Sequence, residues 1–81
     1  MSSMPKLPIL SGQEVVRVLT RSFDFRFMTQ RGSHIKLRRE KDGRTVTTII
    51  PDHKELARGT LIGILELAQV AKEEFIAALE K

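Results

Sequence analysis

The sequence contains no cysteine, which excludes two common ways of holding a small domain together. Neither a disulfide framework nor a thiolate metal site can form, and a reducing cytosol is the expected compartment. The two histidines, His34 and His53, lie far apart and lack the paired spacing of helix-borne metal ligands. We therefore expect neither a metal nor any other cofactor.

Long hydrophobic runs are also missing. No stretch approaches the roughly 18 consecutive apolar residues that a transmembrane helix needs. The first ten residues likewise lack the apolar run of about 7–15 residues typical of a signal peptide. We expect a soluble, cytoplasmic protein that is not exported and does not bind membranes.

The composition indicates one globular domain. The 81 residues are 41% hydrophobic and 30% charged, which is enough apolar material for a single core. Residues 1–10 contain Pro5 and Pro8 without periodicity, so we interpret them as a flexible or extended lead-in. Residues 11–81 then form the domain.

Helical patterns occur at both ends of this domain. Ser11 and Glu14 have the spacing of a capping box, which predicts a helix over 11–21. Near the C-terminus, Gly59 is interpreted as a turn and Thr60 as the N-cap of a helix over 60–69. A third helix is predicted over 72–79.

Between these helices the pattern changes to period two. Strands are predicted over 23–27, 34–38 and 44–50, with the Asp42-Gly43 dipeptide as a hairpin turn. The order is α-β-β-β-α-α, an α+β fold with a three-stranded antiparallel sheet and helices on one face. Such an arrangement leaves the other sheet face free for a ligand.

Positive charge is concentrated in this middle region. Residues 17–44 hold nine Lys or Arg against three Asp or Glu, whereas residues 51–81 have a net charge of −2. A localised basic segment favours a polyanionic partner, most commonly nucleic acid. A solvated charged hairpin is the simpler alternative.

The best site candidate is Gly32-Ser33-His34, a tight turn that leads into the second strand. Alternation places His34, Lys36 and Arg38 on the face opposite Ile35 and Leu37. RNA is cut without metal if a base takes the 2′-hydroxyl proton while nearby cations stabilise the phosphorane, and imidazole titrates in a suitable range. The alternative is that His34 is simply a polar strand residue.

Other motifs have competing interpretations. His53 is either a second proton-transfer group or a residue of the turn before the next helix, and we favour the turn. The phenylalanines 23, 25 and 27 could stack on bases, but alternation favours the core. Six arginines could each neutralise a phosphate, although not all on one surface: Arg17, Arg21, Arg26, Arg31, Arg39 and Arg44.

Four stretches occur in an order and spacing that is specific, although each alone is common. They are Leu7-Pro8, residues 11–19 beginning Ser11-Gly12-Gln13-Glu14-Val15-Val16, Gly32-Ser33-His34, and residues 51–65 beginning Pro51-Asp52-His53-Lys54-Glu55-Leu56. Together they closely resemble the HicA family of small mRNA interferase toxins. The resemblance covers nearly the whole chain from Met4.

The resemblance implies a double-stranded-RNA-binding-domain-like fold, metal-independent cleavage of translated mRNA and growth arrest by the free toxin. It also implies a HicB-type antitoxin that covers the active face. By position, the family's catalytic histidine corresponds to His34, and Gly32 and Ser33 form the active-site turn. Strand alternation, rather than the resemblance, adds Lys36 and Arg38 as RNA-binding residues, with Arg31 beside the turn.

Three functions therefore compete. An endoribonuclease toxin is the leading hypothesis, and a non-catalytic RNA-binding module with the same fold is the alternative. A helix-turn-helix that reads DNA is disfavoured, because the C-terminal helices are net negative.

Overall fold

The secondary structure follows the order α-β-β-β-α-α in the computed structural model, which describes residues 7–80. Helix α1 spans Gly12–Ser22, and strands β1, β2 and β3 span Arg26–Arg31, His34–Lys41 and Arg44–Pro51. Helices α2 and α3 span Arg58–Ala68 and Lys72–Leu79. The strands form one antiparallel sheet in the order β1-β2-β3, so the predicted α+β class is confirmed. Within residues 7–80, no helix is both long and apolar enough to cross a membrane.

One hydrophobic core lies between the helices and a single face of the sheet. Residues 35 and 37 of β2 and residues 46, 48 and 50 of β3 are buried, while their neighbours along each strand are more exposed. The helices contribute further buried apolar side chains, among them Val15, Leu19, Leu61, Ile64, Leu65 and Phe75. Because all helices pack on this side, the opposite sheet face stays open.

Helix α1 begins with the predicted capping box. The Glu14 N–H donates to Ser11 Oγ at 3.0 Å, and the Ser11 N–H donates to Glu14 Oε1 at 2.9 Å. The Ser11 N–H, which donates to the Glu14 carboxylate, is the main cause that holds the pKa of this carboxyl below its usual value of 4.5, and the nearby Ser11 side chain lowers the pKa further.

The lowered pKa of Glu14 predicts a pH dependence of stability. Because the folded value lies below the unfolded one, the capping contribution is fully present above pH 4.5 and is lost as pH falls through the folded pKa. Glu14→Gln should therefore flatten the acid limb of a plot of unfolding free energy against pH. An unchanged acid limb in urea titrations would contradict the capping role.

The first strand starts three residues later than predicted. Asp24 has a φ of +61°, and the N–H groups of Phe23 and Phe25 both donate to Leu19 O, so the chain still wraps the end of α1 there. Phe25 is buried, but Phe27 is 57% exposed, and the expectation that it faces the core is wrong. Phe27 pairs with Leu37 on the helix side of the sheet, yet the helices contact chiefly β3 and leave β1 uncovered.

Helix α2 also differs from the prediction at its start. It begins at Arg58 with Ala57 as N-cap, and no side chain caps it, so the predicted Gly59 turn and Thr60 cap are wrong. The Leu56 N–H donates to Leu10 O at 2.8 Å, and the Leu56 side chain is buried. This contact between Leu56 and Leu10 determines where α2 begins and outweighs the capping preference of Thr60.

The segment before α1 is anchored to the core. Leu7 and Leu10 are both buried, without regular secondary structure between them. Residues 1–6 of the expected lead-in, and Lys81, lie outside the described residues.

Gly12 sets how closely α1 approaches the end of β3. Its N–H donates to His53 O at 2.9 Å, and a Cβ built on it would overlap the carbonyl oxygen of Pro51. Only glycine permits this contact, because the obstructing atom belongs to the backbone.

Gly12→Ala should lower the unfolding free energy by about 1–3 kcal/mol, since α1 must move away from β3. Gly63→Ala is the matched control, because nothing lies within 4 Å of a Cβ at that helical position. The control should be neutral or stabilising by up to about 1 kcal/mol. Chemical denaturation measures both changes, and equal effects would contradict the proposed close approach.

Candidate functional site on the open sheet face

Strand register brings the predicted basic residues together on the open face. Antiparallel partners share a face, and β1 pairs Arg26 with Arg38, Thr29 with Lys36, and Arg31 with His34. We call the five residues Arg26, Arg31, His34, Lys36 and Arg38 the basic face. All five are exposed.

Charge on this face is almost entirely of one sign. Four of its members are permanently cationic, and cross-strand neighbours have Cα atoms only about 4.5–5.5 Å apart. In the described strands, Glu40 is the one acid on this side, and it accepts a hydrogen bond from Thr45 Oγ1 at 3.1 Å. It lies at the opposite end of β2 from His34, so the field near His34 is positive and favours an anionic ligand.

The turn before His34 consists of Gly32 and Ser33. Gly32 has a φ of +56°, and a Cβ there would meet nothing within 4 Å, so its conformation rather than its size favours glycine. His34 is the first residue of β2 and pairs with Arg31 on one side and Pro51 on the other. The imidazole thus stands at one end of the basic face, beside the turn.

Sequence reasoning assigned no role in the site to three polar residues near this turn. Asp52, Gln30 and Gln13 come from the loop after β3, from β1 and from α1, and hydrogen bonds connect them. The Asp52 N–H also donates to Ser33 O at 2.6 Å. Gln13 lies 39 positions and Gln30 lies 22 positions from Asp52 in the sequence, so no local pattern indicates that these side chains interact.

His53 occupies the turn that sequence reasoning favoured for it. Its carbonyl oxygen accepts from the Gly12 N–H, and its side chain is exposed. The backbone contact joins the loop after β3 to the start of α1.

The remaining arginines are spread over other surfaces. Arg39 lies on the helix side, where it donates to Phe23 O at 3.0 Å and Ala68 O at 3.1 Å. Its guanidinium also stacks over the Phe25 ring at 4.8 Å. Arg39 therefore supplies the cation at the C-terminus of α2, which has no basic residue in its own last turn. Arg17 and Arg21 lie on α1, in the helix layer.

Metal ligands do not cluster in the described part of the chain. Residues 7–80 contain no group of three His, Cys, Asp or Glu side chains that could hold a metal ion.

A protein-family model matches most of this chain. The model of the HicA toxin of bacterial toxin-antitoxin systems matches residues 12–70. The chain belongs to the HicA toxin family. The matched region includes the whole sheet, the Gly32–Ser33 turn and Asp52, while α3 lies beyond it.

Neither the curated proteins nor the solved structures gave a match. The family therefore rests on the sequence match, and the fold rests on the described geometry. HicA membership indicates the toxin of a toxin-antitoxin pair, a class generally associated with ribonuclease activity.

Neighbouring arginines on β2 give a matched test of the two faces. Arg38→Gln should weaken RNA binding and reduce the logarithmic salt slope by about 0.7, the value for one single-strand phosphate contact. Arg39→Gln should instead lower the unfolding free energy by about 1.5–3 kcal/mol, because charged hydrogen bonds to backbone carbonyls are lost.

Fluorescence anisotropy at several salt concentrations and urea denaturation measure these two effects. If Arg39→Gln weakens RNA binding as much as Arg38→Gln, the division between the basic face and the packing face is wrong.

Proposed function

We propose that this HicA toxin is a metal-independent endoribonuclease that binds mRNA on the basic face and cuts it beside His34. The observation that supports this most directly is the position of His34, exposed at the end of a strand whose next two outward residues, Lys36 and Arg38, are cationic. A base and phosphate-binding cations are thereby brought within reach of one phosphodiester.

The chemistry needs only groups that this face presents. His34 takes the proton of the 2′-hydroxyl, and the 2′-oxygen attacks the adjacent phosphorus. The P–O5′ bond breaks as the 2′,3′-cyclic phosphate forms, and the 5′-oxygen takes a proton from the solvent that reaches this open face. Arg31, paired with His34, and Lys36, two residues along β2, stabilise the negative charge of the phosphorane.

RNA binding follows from the same geometry. Alternate residues of a strand are about 6.6–6.8 Å apart, so His34, Lys36 and Arg38 form an extended row. Arg26 and Arg31 widen the row on β1. Side chains of this kind contact phosphates and leave the sequence largely unread, which suits a toxin that acts on many messages.

The partner that restrains this activity is proposed to be a HicB-type antitoxin. Charges that attract phosphates also attract acidic side chains, so a partner with an acidic surface complements the basic face. Covering His34 and Lys36 would block both chemistry and RNA binding. Because its substrate is translated mRNA, the toxin is proposed to act in the cytoplasm.

One observation favours the non-catalytic alternative. Within residues 7–80, no hydrogen bond orients the His34 imidazole, whereas catalytic histidines commonly have such a partner. An RNA-binding module would need only the cations.

Expression of wild-type, His34→Ala and His53→Ala proteins in a bacterial host separates the two functions. We expect wild type and His53→Ala to arrest growth and fragment mRNA, and His34→Ala to do neither, because of the two histidines only His34 belongs to the basic face. Growth curves and full-length mRNA from the same cultures provide the readout.

RNA binding is the control for this experiment. Purified His34→Ala should keep wild-type affinity, since the four cations remain. If wild type and His34→Ala are both folded and neither arrests growth, a non-catalytic RNA-binding module becomes the better explanation. If His34→Ala is as toxic as wild type, His34 is not the catalytic residue.

A further inference from the structure

The turn that presents His34 is held from beneath by side chains that sequence analysis did not select. Gln30 Nε2 donates to Gly32 O at 3.0 Å and to Asp52 Oδ2 at 3.1 Å. Gln13 Nε2 donates to Asp52 Oδ1 at 3.0 Å. The Asp52 N–H donates to Ser33 O. The carbonyl oxygens of both turn residues, Gly32 and Ser33, are therefore hydrogen-bonded to other parts of the domain.

These contacts lie on the side of the sheet opposite His34. Pro51 pairs with His34 and shares its face, so the next residue, Asp52, points to the other side. Gln30 pairs with Ile35, whose side chain is in the core, and so lies on that same side. Asp52 therefore does not form a catalytic dyad with His34, and its effect must pass through the turn.

The turn needs such support because, beyond the pairing of His34 with Arg31 and Pro51, it has little packing of its own among the described residues. Gly32 and Ser33 are exposed, and apart from the chain neighbours of Gly32 no atom in residues 7–80 lies within 4 Å of a Cβ built on it. A displacement of about 1 Å at a catalytic group costs about 100-fold in rate. A hairpin tip that is free to move would lose much of the activity of His34.

We infer that Gln30 and Asp52 are positioning residues that fix the Gly32–Ser33 turn and, through it, the catalytic geometry of His34. This inference rests on the proposed ribonuclease function. Gln30 is the key bridge, because its one amide nitrogen contacts both the turn and the loop after β3.

The hydrogen-bond chemistry distinguishes the variants. In Asp52→Asn, the amide oxygen can still accept from Gln30, and Gln13 can rotate its amide to accept from the new NH2 group. Gln30 has no such freedom, because rotation would place its oxygen against Gly32 O. Asp52→Asn should therefore preserve the network, whereas Asp52→Ala and Gln30→Glu should break it.

The test is steady-state cleavage of an RNA oligonucleotide by the full chain. We expect Asp52→Ala and Gln30→Glu to lower kcat at least about 10-fold, a part of the loss that misplacement causes. KM should change less than twofold, because the RNA-binding cations are untouched. Asp52→Asn should retain kcat within about threefold. Gln13→Ala is the matched control, because it removes a hydrogen bond to Asp52 that does not involve the turn.

Amide hydrogen exchange of Gly32, Ser33 and His34, followed by NMR, gives a readout that does not depend on activity. Exchange should accelerate in Asp52→Ala and Gln30→Glu and return to the wild-type rate in Asp52→Asn. If wild type does not cut RNA, the proposed function fails, but this measurement still decides whether the network holds the turn.

Three results would overturn the inference. One is a wild-type kcat in Gln30→Glu while His34→Ala is inactive. Another is a raised KM with unchanged kcat, which would mean that these residues contact RNA. The third is a loss of activity in proportion to the fraction of unfolded protein. Gln30 is exposed, so Gln30→Glu still tests the inference if Asp52→Ala does not fold.

Discussion

The alternation of side chains along β2 is the constraint on which both the core and the site depend. Ile35 and Leu37 are almost completely buried, and their burial leaves no choice about where their neighbours point. A shift of one residue in register would bring Lys36 and Arg38 into the core, at a cost in desolvation that no contact there repays. Hydrophobic packing on one face thus fixes a row of positive charge on the other.

The same constraint explains why the candidate catalytic group sits at the end of the strand. His34 is paired on both sides, like a residue in the middle of β2, but it also adjoins a turn of two exposed residues. This exposed turn leaves the imidazole accessible to a ligand, but it lacks the packing of the strand interior. The close contact of Gly12 with Pro51 brings α1 and the loop after β3 together beneath this point, where Gln30 donates a hydrogen bond to Asp52.

Sequence patterns predicted the parts of the fold that local chemistry determines. The Ser11–Glu14 capping box, the Asp42-Gly43 turn with φ values of +53° and +77°, and the outward row of β2 are all present in the structure. The errors occur where tertiary contacts override local signals. Asp24 takes a positive φ to close α1, and the bond between Leu56 and Leu10 starts α2 early.

Arg39 illustrates why the candidate site was only partly predictable. From sequence, it is one of several arginines that could bind phosphate, but its bonds to Phe23 and Ala68 make it part of the packing. Asp52 and Gln30 show the converse, since each is unremarkable alone and their pairing depends on the complete sheet.

The central claim is that the basic face supports attack by the RNA 2′-hydroxyl with help from His34. Its most direct test compares an RNA oligonucleotide with the same strand carrying a single 2′-deoxynucleotide at the cut position, both incubated with purified protein in EDTA. The account predicts that the RNA is cut to leave a 2′,3′-cyclic phosphate and that the deoxy-substituted strand stays intact at that position. Cleavage of both strands at equal rates would contradict it.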